Sequence, residues 1–527
     1  MLAHRPSFIV GFLLFVLGSV ALFPLIGRDF FPSVDAGLIK LHVRGAPGTR
    51  IEQTEREIAR VEDAIREVIP EHEIGMMLDN MGMPYSGINL SLSEGALISP
   101  ADAQISIALK PEHAPTPDYV RALRRHLPER FPDKTFFFLA PDISTQVLNF
   151  GLAAPIDVQV VGPIGQEDAT LALAHEIEDE LRKIPGAADV HLAQVPRGPQ
   201  LWVNVDRAMA AQNGLTQRDV ASDLLVSLSS SGQVAPNYWL DKRGVQYLVA
   251  VQTPQYENGS LSALGRTPLS TGGGSAPQLL SNVGAVQRGS GPVNITHYNV
   301  ARTYDVQANV AGTDLGSVSS AVDGVIKKLG SHIPKGTKVT VLGQAASMQS
   351  SFRGLGYGLA FAVLLVYLLL VVNFQSWLDP LVILMALPGA LAGIAWILFL
   401  TGTTVSVPAL MGAMMCIGVA TSNSVLVITF ANGRRSLGAD AREAAIAAGM
   451  TRLRQVIMTA LAMIIGMLPM SLGLGEGGEQ NAPLGRAVIG GLLLATATTL
   501  FFVPVMYSIL RKRPPVRDPA HDLLEEP

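Results

Sequence analysis

The sequence predicts an α-helical membrane protein: a six-helix transmembrane bundle carrying one large α/β (α+β, βαβ-type) domain. Three observations predict it. Six apolar stretches reach the roughly 20 residues that cross a bilayer. One polar region, residues 28–353, separates the first stretch from the other five and contains none. The composition is 48% hydrophobic and 16% charged, where soluble chains run to about a quarter charged.

Taken in order, residues 8–26 form the first span, preceded by His4 and Arg5. A signal peptide is the competing reading, but no small-x-small cleavage site follows cleanly and the apolar run is long. The polar region then alternates strands and helices by period. Strands are expected at 38–43, 103–109 and 134–139, with helices at 49–69 and 118–127. The pattern recurs with strands at 156–161, 188–193, 304–310 and 338–342, and helices at 166–184 and 315–329. This reads as two βαβ-containing modules. The second is split by a Ser/Gly/Asn/Pro-rich insertion, 206–297, with a protruding loop near 234–239. The expected layout is a first helix at 1–27, modules at 28–150 and at 151–205 plus 298–345, five further spans within 346–511, and a tail at 512–527.

The five later spans are 354–372, 380–400, 405–430, 456–474 and 487–510, with an amphipathic stretch at 440–448. Arg434, Arg435, Arg442, Arg452, Arg454, Arg511, Lys512 and Arg513 fall on one side of six crossings, together with His4 and Arg5. The positive-inside rule then predicts cytoplasmic termini and a large domain across the membrane. The central span, 405–430, has no ionisable acid or base except Cys416, yet carries Thr421, Ser422, Asn423 and Ser424. Such groups need partners on neighbouring helices. They are helix–helix glue, or the route of a proton, ion or conformational signal.

Other classes find little support. A net charge of −4 offers nothing to nucleic acid, and one cysteine allows neither an internal disulfide nor a cysteine metal site. The histidines are scattered, so no enzyme constellation and no cofactor is expected. Gly473-Leu-Gly475-Glu-Gly-Gly478 fits GxGxxG but follows a membrane helix rather than a strand. Met76, Met77, Met81 and Met83 cluster in an expected loop; thioethers bind Cu(I), but apolar lining is their commoner use.

Five motifs together carry a resemblance: Phe31-Pro-Ser-Val-Asp-Ala-Gly37, Phe374-Gln-Ser-Trp377, Ile417-Gly-Val-Ala-Thr-Ser-Asn-Ser-Val-Leu426, Arg452-Leu-Arg454 before Met458-Thr459, and Phe501-Phe-Val-Pro504. The chain resembles the C-terminal half of a resistance–nodulation–division (RND) efflux permease of the hydrophobe/amphiphile, acriflavine-resistance-like type, over nearly its whole length. The resemblance implies a multi-pass inner-membrane antiporter with a periplasmic porter domain and a docking or funnel insertion. It also implies a trimer working with a periplasmic adaptor (membrane fusion) protein and an outer-membrane channel, exchanging protons for amphiphiles.

The resemblance further implies that Asn423, Thr459 and Arg452 belong to a proton relay, with Thr421 and Ser422 beside them. Two departures stand out: the family's membrane aspartates belong to the other half, and Ser422 replaces its usual lysine. A complementary N-terminal half or paralogous RND subunit is therefore the expected partner. Phe136 and Phe138, two apart on an expected strand, share a face. They match positions lining an outer substrate cleft, and Met83 and Tyr85 match the loop between two pockets. An ordinary core strand is the alternative for the phenylalanines. A SecD/SecF-like translocation accessory, a membrane scaffold and an inactive fragment are the competing functions.

Overall fold

The computed structural model describes residues 5–84, 97–149, 151–270, 277–474 and 477–511. By its contacts the chain divides into two units, 1–193 with 296–527, and 194–295.

In the larger unit, strand Leu38–Arg44 leads through helix Ile51–Val68 to strand Ile74–Met81. Both strands lie antiparallel to Asp102–Leu109, which runs between them, and Thr135–Leu139 closes the other edge. The βαβ unit is thus split by an intervening strand, and no two neighbours in this sheet are parallel. Alternation sends Ile39, Leu41, Val43, Ile105 and Ile107 to one face, where helices Ile51–Val68 and Thr116–Arg130 cover them. Each fully buried aliphatic side chain there contributes about 1.5–3 kcal/mol.

The second module repeats the plan. Ile156–Val161 and Ala187–Leu192 flank Ala301–Val310, both antiparallel to it, and Lys338–Leu342 pairs with Ile156–Val161. Val158, Val160, Val306 and Ala308 pack under helices Glu167–Leu181 and Leu315–Lys328. The strand Ile74–Met81 was not expected. Its Met-rich, Gly- and Asp-containing sequence has weak strand propensity, and pairing with Asp102–Leu109 overrides it.

The smaller unit, 194–295, starts earlier than expected. Gly198–Val205 pairs antiparallel with Gly284–Gly291 over a small core of Ala210, Leu215, Val220, Leu264, Leu280 and Val283. The loop expected near 234–239 is half of a hairpin, Asn237–Leu240 with Gln246–Val249, whose Tyr238, Trp239, Leu240 and Tyr247 are exposed.

Five helices are long and apolar enough to cross a membrane: Gln344–Phe374, Leu378–Leu400, Val407–Ser436, Ala441–Ser471 and Ala482–Leu510. The first predicted span is shorter as a helix, Arg5–Val20, and continues as turns through Pro24, which has no N–H to extend it. The amphipathic stretch near 440–448 is no separate element: Asp440 caps Ala441–Ser471 by accepting from Arg442 N, and that helix runs on unbroken. Small residues bring the inner helices close. A Cβ at Gly393 would lie 2.2 Å from Gly490 O, the small-residue contact by which membrane helices associate.

Candidate functional site

Helix Val407–Ser436 is packed on the face bearing Ala409, Gly412, Ala413, Cys416 and Ala420, against Ala482–Ala497. The four polar residues at its centre do not act as one group. Thr421 Oγ1 donates to Ile417 O of its own helix at 2.8 Å. Ser424 and Thr499 hydroxyls bond at 3.0 Å, with Thr499 presented by a π-helical turn, Thr498–Phe502; such turns recur at functional sites. Thr459 Oγ1 donates to Asn423 Oδ1 at 3.1 Å. Ser422 is exposed on the opposite face, so it lies apart from the inward-facing groups. Arg452, two turns before Thr459, lies over the Phe430 ring at 5.1 Å and donates to Gln455. These hydroxyl and amide groups pass hydrogen bonds but hold no titrating charge at ordinary pH.

Two charged residues sit further inside the bundle than their sequence positions suggest. Asp379 is 1% exposed; it accepts from Asn432 Nδ2 at 3.1 Å and pairs with Arg511 Nε at 3.2 Å. Tyr507 OH donates to Asn432 Oδ1 at 2.6 Å. Arg486 donates to Ser471 O at 3.0 Å and to Thr403 Oγ1 at 2.6 Å. Each lies one residue before a predicted span, so counting apolar residues placed it outside. The adjoining Pro380 and Ala487 gave no contrary signal.

The two α/β modules meet through charge and stacking. Asp189, at φ 54°, reaches from the second module into the first. It accepts from Arg124 Nε at 3.0 Å and Nη2 at 2.7 Å, and from Asn309 Nδ2 at 2.8 Å. Arg44 donates to Leu192 O and Ala193 O at 3.3 and 3.2 Å, and to Asp102 at 2.9 Å. The Phe137 ring is sandwiched between His42 and His191, with centroids 4.3 and 3.8 Å apart. Burial pushes His191 down to about 4 and also lowers His42, against the pull of Asp102. The His191 ring is therefore neutral over ordinary pH.

Beside this junction lies a cleft of about 370 Å³. Phe30, Phe31, Leu139, Leu148 and Val310 line it with Asp29, Lys40, Asn149, Asn309 and Gln344. Phe138 reaches its edge but belongs to the first module's core, and Phe136 packs against that core. Their shared face is the helix-covered one, which favours the core alternative. Phe137 points the other way into the stack. Met83 is exposed, and Tyr85 lies outside the described residues. The four methionines do not converge: Met77 and Met81 pack against the core, while Met76 and Met83 are exposed. Among the described residues no group of three His, Cys, Asp or Glu is placed to hold a metal ion.

The profile described as the AcrB/AcrD/AcrF family matches residues 1–511. The cobalt-zinc-cadmium resistance protein CzcA of Cupriavidus metallidurans is 28% identical over 94% of this chain and 46% of its own length. The swarming motility protein SwrC of Bacillus subtilis is 27% identical over 97% of this chain and 46% of its own. The multidrug resistance protein MdtC of Erwinia tasmaniensis is 29% identical over 69% and 37%. A crystal structure of a heavy metal efflux pump superposes with TM-score 0.81 at 26% identity, covering 97% of this chain and 51% of that one. The chain spans about half the length of these relatives. With helices fit to span a membrane and paired α/β modules in the same arrangement, the chain belongs to the AcrB/AcrD/AcrF family of RND-type permeases.

Proposed function

We propose that this chain supplies one half of a proton-driven inner-membrane exporter of amphiphilic molecules. The observation that carries the reading is the cleft between the modules, which Phe30, Phe31 and Leu148 line together with amide and charged groups. An apolar wall with a few polar groups suits varied amphiphiles. The acidic proton carriers come from a second, complementary or paralogous half, docked so that Asn423 and Thr459 face them. The modules lie in the periplasm and both termini in the cytoplasm, as the basic residues flanking the spans favour. The exposed aromatic hairpin Asn237–Val249 mediates trimer contacts, and a periplasmic adaptor and an outer-membrane channel complete the path.

A second reading, export of divalent metal cations, is favoured by the names of relatives such as CzcA. The scattered methionines and the lack of a clustered ligand set among the described residues weigh against it. Growth of a strain lacking the assembled pump, challenged with dyes and detergents and separately with cobalt, zinc and cadmium, separates the two. The amphiphile reading expects sensitivity to dyes and detergents. Sensitivity confined to the metals would replace it with the metal reading.

A further inference from the structure

Residues 27–30, which follow the turns after the first helix, are bonded on two sides. On the membrane side, Val405 N donates to Gly27 O at 2.8 Å, Asp29 N to Val405 O at 3.0 Å, and Val407 N to Phe30 O at 3.2 Å. Val405 and Val407 are the entry to the helix that carries Asn423. On the other side, Arg28 N donates to Asp314 Oδ2 at 2.8 Å, Leu315 N to Asp29 Oδ1 at 2.8 Å, and Gly316 N to Arg28 O at 2.7 Å. Those partners are the first turn of Leu315–Lys328, the helix under the second module's sheet.

The strap has no slack against the start of the Leu315–Lys328 helix. A Cβ at Gly316 would stand 2.8 Å from Arg28 Cβ and 3.0 Å from Arg28 O, and one at Gly27 would stand 2.7 Å from Asp314 Cβ. Phe30 is buried in the second module's core, and Val407 packs against the same cluster. Asp29, Phe30, Phe31, Thr313 and Leu315 all border the cleft. Separating the strap from either side breaks its backbone hydrogen bonds in a crowded joint, at a cost of about 0.5–1.5 kcal/mol for each bond.

We propose that residues 27–30 are a positioning element that couples the Asn423 helix to the second module and the cleft. This rests on the reading of the chain as half of a proton-driven exporter. A shift of the helix entry drags Gly27–Phe30, and the strap carries Asp314–Gly316 and the cleft wall with it. The covalent route through Gly343 and Gln344–Phe374 joins the second module to a different membrane helix, so the strap, with the packing of Val407, ties it to the Asn423 helix.

The test uses the assembled pump in proteoliposomes, with Ser33→Cys in a Cys416→Ala background. The rate at which a maleimide labels the thiol introduced in the cleft wall is compared at one fixed exterior pH, with the vesicle interior mildly acid or mildly alkaline, because the thiolate is the reacting species and exterior pH alone would change the rate. Ethidium export is measured in the same vesicles. Gly316→Val pushes the helix from the strap; Asp314→Ser keeps a helix cap but shortens the reach to Arg28 N. The expected result is a labelling rate that follows pH in the parent protein and loses that response in both variants. Export then falls about tenfold, within the range of ordinary coupling energies, at unchanged ethidium affinity. A pH response retained in a folded Gly316→Val or Asp314→Ser protein overturns the strap while leaving the transport reading intact. A parent protein with neither pH-dependent labelling nor export overturns the transport reading, and the strap with it. A parent that exports no ethidium but labels in step with pH supports the strap and overturns only the substrate class.

Discussion

Thr459 donates its hydroxyl hydrogen to Asn423 across two helices, at 3.1 Å, while Arg452, on the same helix as Thr459, is held over the ring of Phe430. The pair is hydrogen-bonded and has no group of its own to charge. Thr459→Val leaves Asn423 Oδ1 without this donor, and Asn423→Leu removes the acceptor. A buried hydrogen bond contributes about 0.5–1.5 kcal/mol net, so both proteins fold and insert. Export by the assembled pump falls severalfold in each, and the double variant is no worse than the poorer single. Ser422→Leu, on the exposed face, lowers export only if it disturbs the second half. Vesicle efflux of the four proteins at matched amounts checks this.

Phe138 is 7% exposed, with Arg124 over its ring at 5.0 Å. Phe138→Ala therefore costs about 3–5 kcal/mol of stability and lowers protein level and all exported compounds together. Phe136, only partly buried, loses less. A Phe138→Ala protein of normal abundance with a changed substrate range would restore the cleft role.

Asp157 lies in the second module with Oδ1 unpaired and Oδ2 accepting from Gln307 at 3.1 Å. Burial, and then the charge of Asp305, pushes its carboxyl from 3.8 to about 7. A carboxyl raised on folding binds its proton more tightly in the folded state. Its effect favours folding most below 3.8, weakens as pH rises towards 7, and is flat above. Thermal unfolding of the detergent-solubilised chain is therefore higher in mild acid than in mild alkali. Asp157→Asn raises it in alkali and flattens the slope. Asp79, lifted to about 7 by burial and then Glu62, keeps some slope.

Tyr238, Trp239, Leu240 and Tyr247 are all more than 45% exposed on one short hairpin, an apolar surface of the kind that marks contact sites. Replacing residues 237–249 by a short Gly/Ser link leaves membrane insertion intact and shifts the assembled protein to smaller species in sedimentation. An unchanged size would remove the hairpin from assembly.

The modules were legible because their helices carry strong periodicity: Ile51, Ile58, Val61, Ile65 and Val68 mark a helix that the structure places at Ile51–Val68. Strands 156–161 and 338–342 matched to the residue, for the same reason. Register was not legible. Asp102 reaches His42 and Asp189 reaches Arg124 only once distant strands are paired, and period alone names no partner. The grouping Thr421 to Ser424 was legible as polar, but its division followed from helical geometry: successive residues turn about 100° apart, which carries Ser422 outward. Asp379 was missed because a buried charge at a helix end looks, in sequence, like the edge of a span.

The Asn423–Thr459 pair can pass but not hold the proton, and the one carboxylate described inside the bundle, Asp379, is held in an ion pair with Arg511. Uncoupler-sensitive efflux from vesicles, with this chain purified alone and then reconstituted with a second half bearing membrane carboxylates, tests it most directly. A proton crossing yields about 2.3 kcal/mol per 100 mV only to a group in the membrane that changes charge. No uncoupler-sensitive efflux is expected from the chain alone, and it is expected to appear with the second half. Robust proton-driven efflux by the isolated chain would contradict it.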